Sequence, residues 1–98
     1  MVQAVLVSWR DIPAQVLVGK GRAAQRHVLP ERFEQAIDRA AMTSGMAGTD
    51  AYLSEWRRTT VEVEDAAAYA ASLDAEHDKA RLIELIANHG WATPRPAP

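Results

Sequence analysis

Two Val- and Leu-rich segments, residues 2–9 and 14–20, are separated only by Arg10-Asp11-Ile12-Pro13. A parallel pair of strands needs a crossover of a dozen or more residues, so two strands this close in sequence must form an antiparallel hairpin. Residues 2–9 alternate imperfectly and read as a strand buried on at least one face. Asp11-Ile12-Pro13 is expected to interrupt the ladder, because proline has no N–H and restricts the residue before it. In the second segment Gln15, Leu17 and Gly19 fall on one face, and Val16 and Val18 on the other. The connection is therefore expected to be wider than a two-residue turn and to leave its side chains free to project.

Beyond the hairpin the pattern changes period. Residues 21–28 are compatible with a loop, a short helix or a strand. Pro30 then suits a first helical position, and Glu31 and Glu34 complement the helix dipole. Phe33, Ala36, Ile37, Ala40 and Ala41 form one apolar stripe that Gly45 ends. Leu29, just before Pro30, is placed to pack back onto Phe33. Thr49 or Asp50 caps a second, shorter helix, with Tyr52, Leu53 and Trp56 on its apolar side and Arg57-Arg58 at its carboxyl end. Residues 59–64 alternate strictly and predict a half-buried strand with Val61 and Val63 inward. Glu62 and Glu64 on its other face would blunt an edge against self-association. Asp65 caps a last helix running from Ala66 to about Asn88, with a stripe of Tyr69, Leu73, Ala80, Ile83 and Ala87 widened by Leu82 and Ile86. Asn88-His89-Gly90 stops it, and Trp91 can fold back as an anchor. The expected fold is a small two-layer α+β domain of order β-β-α-α-β-α over residues 1–91. Its mainly antiparallel sheet has three strands covered by helices on one face, and a disordered Pro-rich tail follows over residues 92–98.

Composition excludes more than it selects. Cysteine is absent, which removes disulfides, thiolate metal sites, iron–sulfur ligation and thiol catalysis. The formal charge of −2 offers no global attraction to nucleic acid. Met1-Val2-Gln3-Ala4-Val5 lacks a basic stretch ahead of an apolar segment, and no apolar run approaches the ~20 residues of a membrane helix. A cytoplasmic, soluble protein is the expectation. His27, His77 and His89 show no metal-ligand spacing, and no serine among Ser8, Ser44, Ser54 and Ser72 sits in a Gly-x-Ser-x-Gly elbow. No cofactor or metal is expected, and a binding module is favoured over an enzyme.

Three groups of residues are candidates for recognition. Trp9-Arg10-Asp11 combines a rigid indole, a planar fork for carboxylate or phosphate, and an acid within one bend. The competing reading makes Trp9 core, pairs Arg10 with Asp11 or a neighbour, and leaves a plain turn. Lys20, Arg22, Arg26, His27 and Arg32 form a basic cluster around two glycines without the full phosphate-loop pattern. The segment Tyr52-Leu53-Ser54-Glu55-Trp56-Arg57-Arg58 places Tyr52, Trp56 and Arg57 together on a short helix that could line a groove, or simply dock by its aromatics.

The segments Trp9-Arg10-Asp11-Ile12-Pro13-Ala14-Gln15-Val16, Leu29-Pro30-Glu31-Arg32-Phe33-Glu34-Gln35-Ala36-Ile37-Asp38 and Tyr52-Leu53-Ser54-Glu55-Trp56 resemble a small bacterial domain known as the virulence factor domain. The likeness runs from about Val5 to Trp91. The same domain is one module of the conserved virulence factor C proteins, beside a NifU-amino-terminal-like module and helical repeats. The family name records a phenotype, and the resemblance carries over no catalytic residue. Stand-alone relatives are often encoded near corrinoid and folate methyl-transfer proteins, which implies an accessory role there with one of these as protein partner. Three functions follow for testing. The first is a protein-docking module centred on Trp9, Arg10 and Asp11, extended by Arg22, Arg26 and the Tyr52–Arg58 segment, in which Arg10→Ala weakens docking and spares the fold. The second is a small anionic ligand or cofactor site in a closed pocket of Trp9, Trp56 and Arg10. The third is weak RNA binding through the basic cluster.

Overall fold

The fold begins with β1 (Val2–Trp9) and β2 (Ile12–Val18), antiparallel and joined by Arg10-Asp11 alone. The structure is a computed structural model and describes residues 2–19 and 24–92. The hairpin is the one expected, but its connection is a two-residue turn with Arg10 at φ +53°, and β2 starts two residues earlier than predicted. Proline does not break the ladder because of where it falls. The Arg10 N–H donates to Glu55 O at 3.1 Å, which sets the phase: even-numbered β1 residues bond toward the strand that begins just after Glu55, and odd ones bond β2. Pro13 lies opposite Ser8, an even position, so its missing N–H would have pointed away from β1. The register then shifts between Val7 and Ser8, with Ala14 as the extra residue of a bulge.

The remaining elements are β3 (Gln25–Val28), α1 (Glu31–Thr43), α2 (Asp50–Ser54), β4 (Trp56–Val63), α3 (Ala66–Glu76) and α4 (Lys79–Ala87). Among the described residues the sheet has four strands in the order β3-β2-β1-β4, all neighbours antiparallel, and there are four helices. The α+β class stands; the three-stranded sheet and the order β-β-α-α-β-α do not. The added strand β3 reads Gln-Arg-His-Val and carries no apolar alternation, because it is an edge strand exposed at Gln25, Arg26 and Val28. The last predicted helix is two helices. The Asp78 carboxylate accepts from the Arg81 N–H at 2.9 Å and starts α4, just as Asp65 caps α3 through Ala67 and Ala68. The break lets α3 lie on β2 and β3 while α4 turns away to pack on α1. Consequently Ile83, placed on the predicted stripe, is exposed, whereas Leu82 and Leu85 are buried.

Helix α1 buries Phe33, Ala36, Ile37, Ala40 and Ala41, the stripe read from its spacing. Leu29 joins the same core. Cross-strand register places Ala4, Leu6, Val16, Val18, Val61 and Val63 on one face of the sheet, and all six belong to or pack against that core. The opposite face carries Val5, Val7, Leu17, Arg26, Val28, Arg58 and Thr60. Val5, Val7, Leu17 and Val28 lie outside the core cluster, whereas Trp9 and Ile12, at the turn end of this same face, belong to it. Residues 93–98, most of the predicted tail, and Lys20 and Arg22 of the basic cluster lie outside the described residues.

Candidate functional site

The first bend does not project. Trp9 is 0 % exposed and Arg10 6 %, which corrects the expectation that their side chains face outward. The indole packs 5.7 Å from the Tyr52 ring and donates its Nε1–H to Tyr52 O at 2.9 Å. The Arg10 guanidinium lies between two indoles, 4.9 Å from the centroids of both Trp9 and Trp91. Its Nη1 donates to His89 O at 2.6 Å, and its Nη2 sits 2.8 Å from Met46 Sδ. Nε faces Glu55 Oε2 at 3.4 Å as an ion contact without an aligned hydrogen bond. Asp11 accepts from the Ala92 N–H at 2.7 Å and donates its own N–H to Gly90 O at 2.8 Å. These three residues therefore tie the hairpin to α2 and to the turn after α4. The physical reason is supply of partners: a buried guanidinium needs acceptors and π faces, and the carboxyl-terminal turn brings them.

That turn depends on Gly90. It has φ +95°, and a Cβ built there would meet Trp9 Cζ3 at 2.9 Å and Arg10 Cδ at 3.2 Å. Both the backbone conformation and the close approach of the indole exclude a larger residue. Gly90→Ala is expected to cost about 2–3 kcal/mol of folding stability, combining left-handed strain with overpacking. Urea denaturation with an unchanged m value checks this.

The other candidate residues are distributed over separate places. Trp56 and Arg57 were expected at the end of α2, but α2 stops at Ser54 and both belong to β4. Strand alternation then sends them to opposite faces. Arg57, with its side chain 44 % exposed, lies 4.9 Å from the Trp91 centroid and 3.8 Å from Asp11 Oδ1. It borders an open cleft of about 240 Å³ together with Ser8, Arg10, Asp11, Thr59 and His77. The His77 Nδ1 is 2.8 Å from Leu73 O, and its ring packs 5.8 Å from Phe33. Trp56 meets Tyr52 edge-on at 6.2 Å on the other side. There the two line a groove of about 290 Å³ with Gln15 and Val28 on the sheet and Glu34, Ile37 and Asp38 on α1. Partial burial raises the Tyr52 phenol above its ordinary pKa, with Asp38 and Glu34 adding to the rise and a Trp56 hydrogen bond opposing it. Trp9, Trp56 and Arg10 thus do not line one closed pocket. Arg26 is exposed on β3, on the sheet face opposite the core.

The second sheet face is not among the sites that residue type alone suggests. Its signal was the unbroken apolar run Ala4-Val5-Leu6-Val7, which supplies apolar side chains to both faces of β1. The described residues contain no group of three metal-ligating side chains. Among them no helix is long and apolar enough to cross a membrane.

These features define a small α+β module with a four-stranded antiparallel sheet, one face of which packs on the core. Residues 7–86 match the family model described as Virulence factor, and the chain belongs to that family. No curated protein and no solved structure matches the chain.

Proposed function

We propose that the chain is a non-catalytic accessory module that docks a protein partner through the open face of its sheet. The observation that carries this is the exposure of apolar side chains there. Val28 is 70 % exposed and Trp56 36 %, and the half-buried Val5, Val7 and Leu17 between the strands lie outside the core cluster. Arg26 and Arg58 sit among them. An apolar centre with a charged rim is the common anatomy of a protein interface, and Trp and Arg are its usual anchors. Arg26 and Arg58 suit a folded partner that meets them with an acidic rim. The likeness to stand-alone relatives directs the search for that partner to corrinoid and folate methyl-transfer proteins of the cytoplasm.

The test is affinity purification of the tagged chain from its own cells, run beside Val28→Glu and Arg26→Glu variants. Wild type is expected to retain a methyl-transfer protein that both variants release while their melting curves stay unchanged. Equal retention by the variants, or capture of no such protein by wild type, overturns the reading. A second reading, a small anionic ligand, is favoured by the cleft bordered by Arg10, Arg57 and His77. Perturbation of Arg57 and Thr59 resonances by inorganic phosphate, with the open face unaffected, would support it.

A further inference from the structure

Strand β4 forms one edge of the sheet, with no strand on its outer side among the described residues. It is eight residues long, follows β1 without a register shift, and contains neither proline nor glycine. The opposite edge, β3, has only four residues. A long, regular edge presents a row of unpaired N–H and C=O groups that another strand can join. The ladder phase set by the bond from Arg10 N–H to Glu55 O places the odd-numbered β4 residues against β1. Arg58, Thr60 and Glu62 therefore turn their backbone groups outward, and their side chains share one face of the sheet.

The charges of this edge are segregated along the strand. Arg57 and Arg58 occupy its start, Glu62 lies near its end, and Glu64 and Asp65 follow it. Arg58 and Glu62 are exposed, and neither is among the ion pairs of the described residues. We infer that β4 pairs antiparallel with β4 of a second copy of this chain, about a two-fold axis at Thr60. In that register Arg58 of each copy faces Glu62 of the other, and Thr60 faces Thr60. The same parity brings the outward backbone groups into register as hydrogen-bonded pairs. Parallel in-register pairing would set Arg58 beside Arg58 and Glu62 beside Glu62, so charge selects the antiparallel dimer. A second copy supplies the reversed charge order by symmetry alone. The glutamates were expected to blunt this edge, but β4 begins at Trp56, so the strand also carries the arginines that complement them. The inference concerns the edge of the sheet but shares Arg58 and Thr60 with the docking face; self-linkage of the purified chain tests it apart from partner capture, which is read at Val28 and Arg26, and the dimer would extend the open face into eight continuous strands.

An interface of one strand pair is small, so a weak dimer is expected, with a dissociation constant on the order of 100 µM. Because the chain has no cysteine, a single introduced thiol reports contact cleanly. Thr60→Cys at that concentration is expected to form a disulfide-linked dimer under mild oxidation, at least about tenfold faster than Gln35→Cys on α1. Adding Arg58→Glu should slow linkage at least about tenfold, because both ion pairs become repulsions, and Arg58→Glu with Glu62→Arg should restore it. Sedimentation of the chains without introduced cysteine should follow the same order. Equal linkage of Thr60→Cys and Gln35→Cys overturns the inference, as does indifference of the wild-type dimer to Arg58→Glu.

Discussion

Arg10→Ala is expected to lower folding stability by about 2–4 kcal/mol. The side chain is almost wholly enclosed between Trp9 and Trp91, and its removal strips partners from His89 O and Glu55 together. Alanine keeps the same backbone demand at φ +53°, so the loss reports the guanidinium and not the turn. A domain of this size has roughly 5–10 kcal/mol in all, so the variant should melt far below wild type. Arg10→Lys keeps the charge but loses the planar stack and the fork, and should recover only part of the difference. Urea denaturation of the three proteins decides the matter. Wild-type stability in Arg10→Ala, accompanied by lost partner binding, would return the residue to the recognition role that its position in the sequence suggests.

Trp9→Ala should cost still more, about 3–5 kcal/mol. The indole is among the largest fully buried side chains and contacts Tyr52, Arg10 and the space left by Gly90. Its removal opens a cavity that neighbours on three different elements cannot close together. Trp9→Phe retains most of the apolar contact but leaves Tyr52 O without its Nε1–H donor, and should cost about 1–2 kcal/mol. Thermal melts followed by far-UV circular dichroism check both. A melting temperature for Trp9→Ala within a few degrees of wild type would mean that the enclosed position of the indole is wrong.

The pair of variants separates what was legible in the chain from what was not. The buried face of α1 is legible residue by residue, because its stripe and its Gly45 stop are local signals; Pro30, expected at the first helical position, instead precedes the helix as its N-cap, and Glu31 is the first helical residue. The choice between Thr49 and Asp50 as the cap of α2 falls to the structure, which takes Thr49, while the cap Asp65 was legible as a local signal. The cap Asp78 was not, since alanines and leucines on both sides favour one uninterrupted helix, and only the turn of α4 onto α1 makes the break worthwhile. Strand β3 leaves no clear mark in the sequence because an exposed edge needs no apolar alternation. Trp56 and Arg57 were placed on the wrong element because residues 50–58 favour a helix locally, whereas pairing with β1 recruits residues from 56 onward into the sheet.

The candidate site shows the same division more sharply. Trp9, Arg10 and Asp11 were picked out by residue type, yet what they touch lies at the far end of the chain: His89 is 79 residues from Arg10 in sequence, and Ala92 is 81 from Asp11. From the sequence alone came the antiparallel hairpin, the amphipathic first helix and the exclusion of thiol chemistry, all properties of neighbouring residues or of composition. Tertiary structure alone decided that the guanidinium is held inside, that Trp56 and Arg57 part to opposite faces, and that part of one sheet face and the long β4 edge stay open among the described residues. Burial is a property of the assembled partners, and no local pattern records which distant carbonyl or ring will arrive.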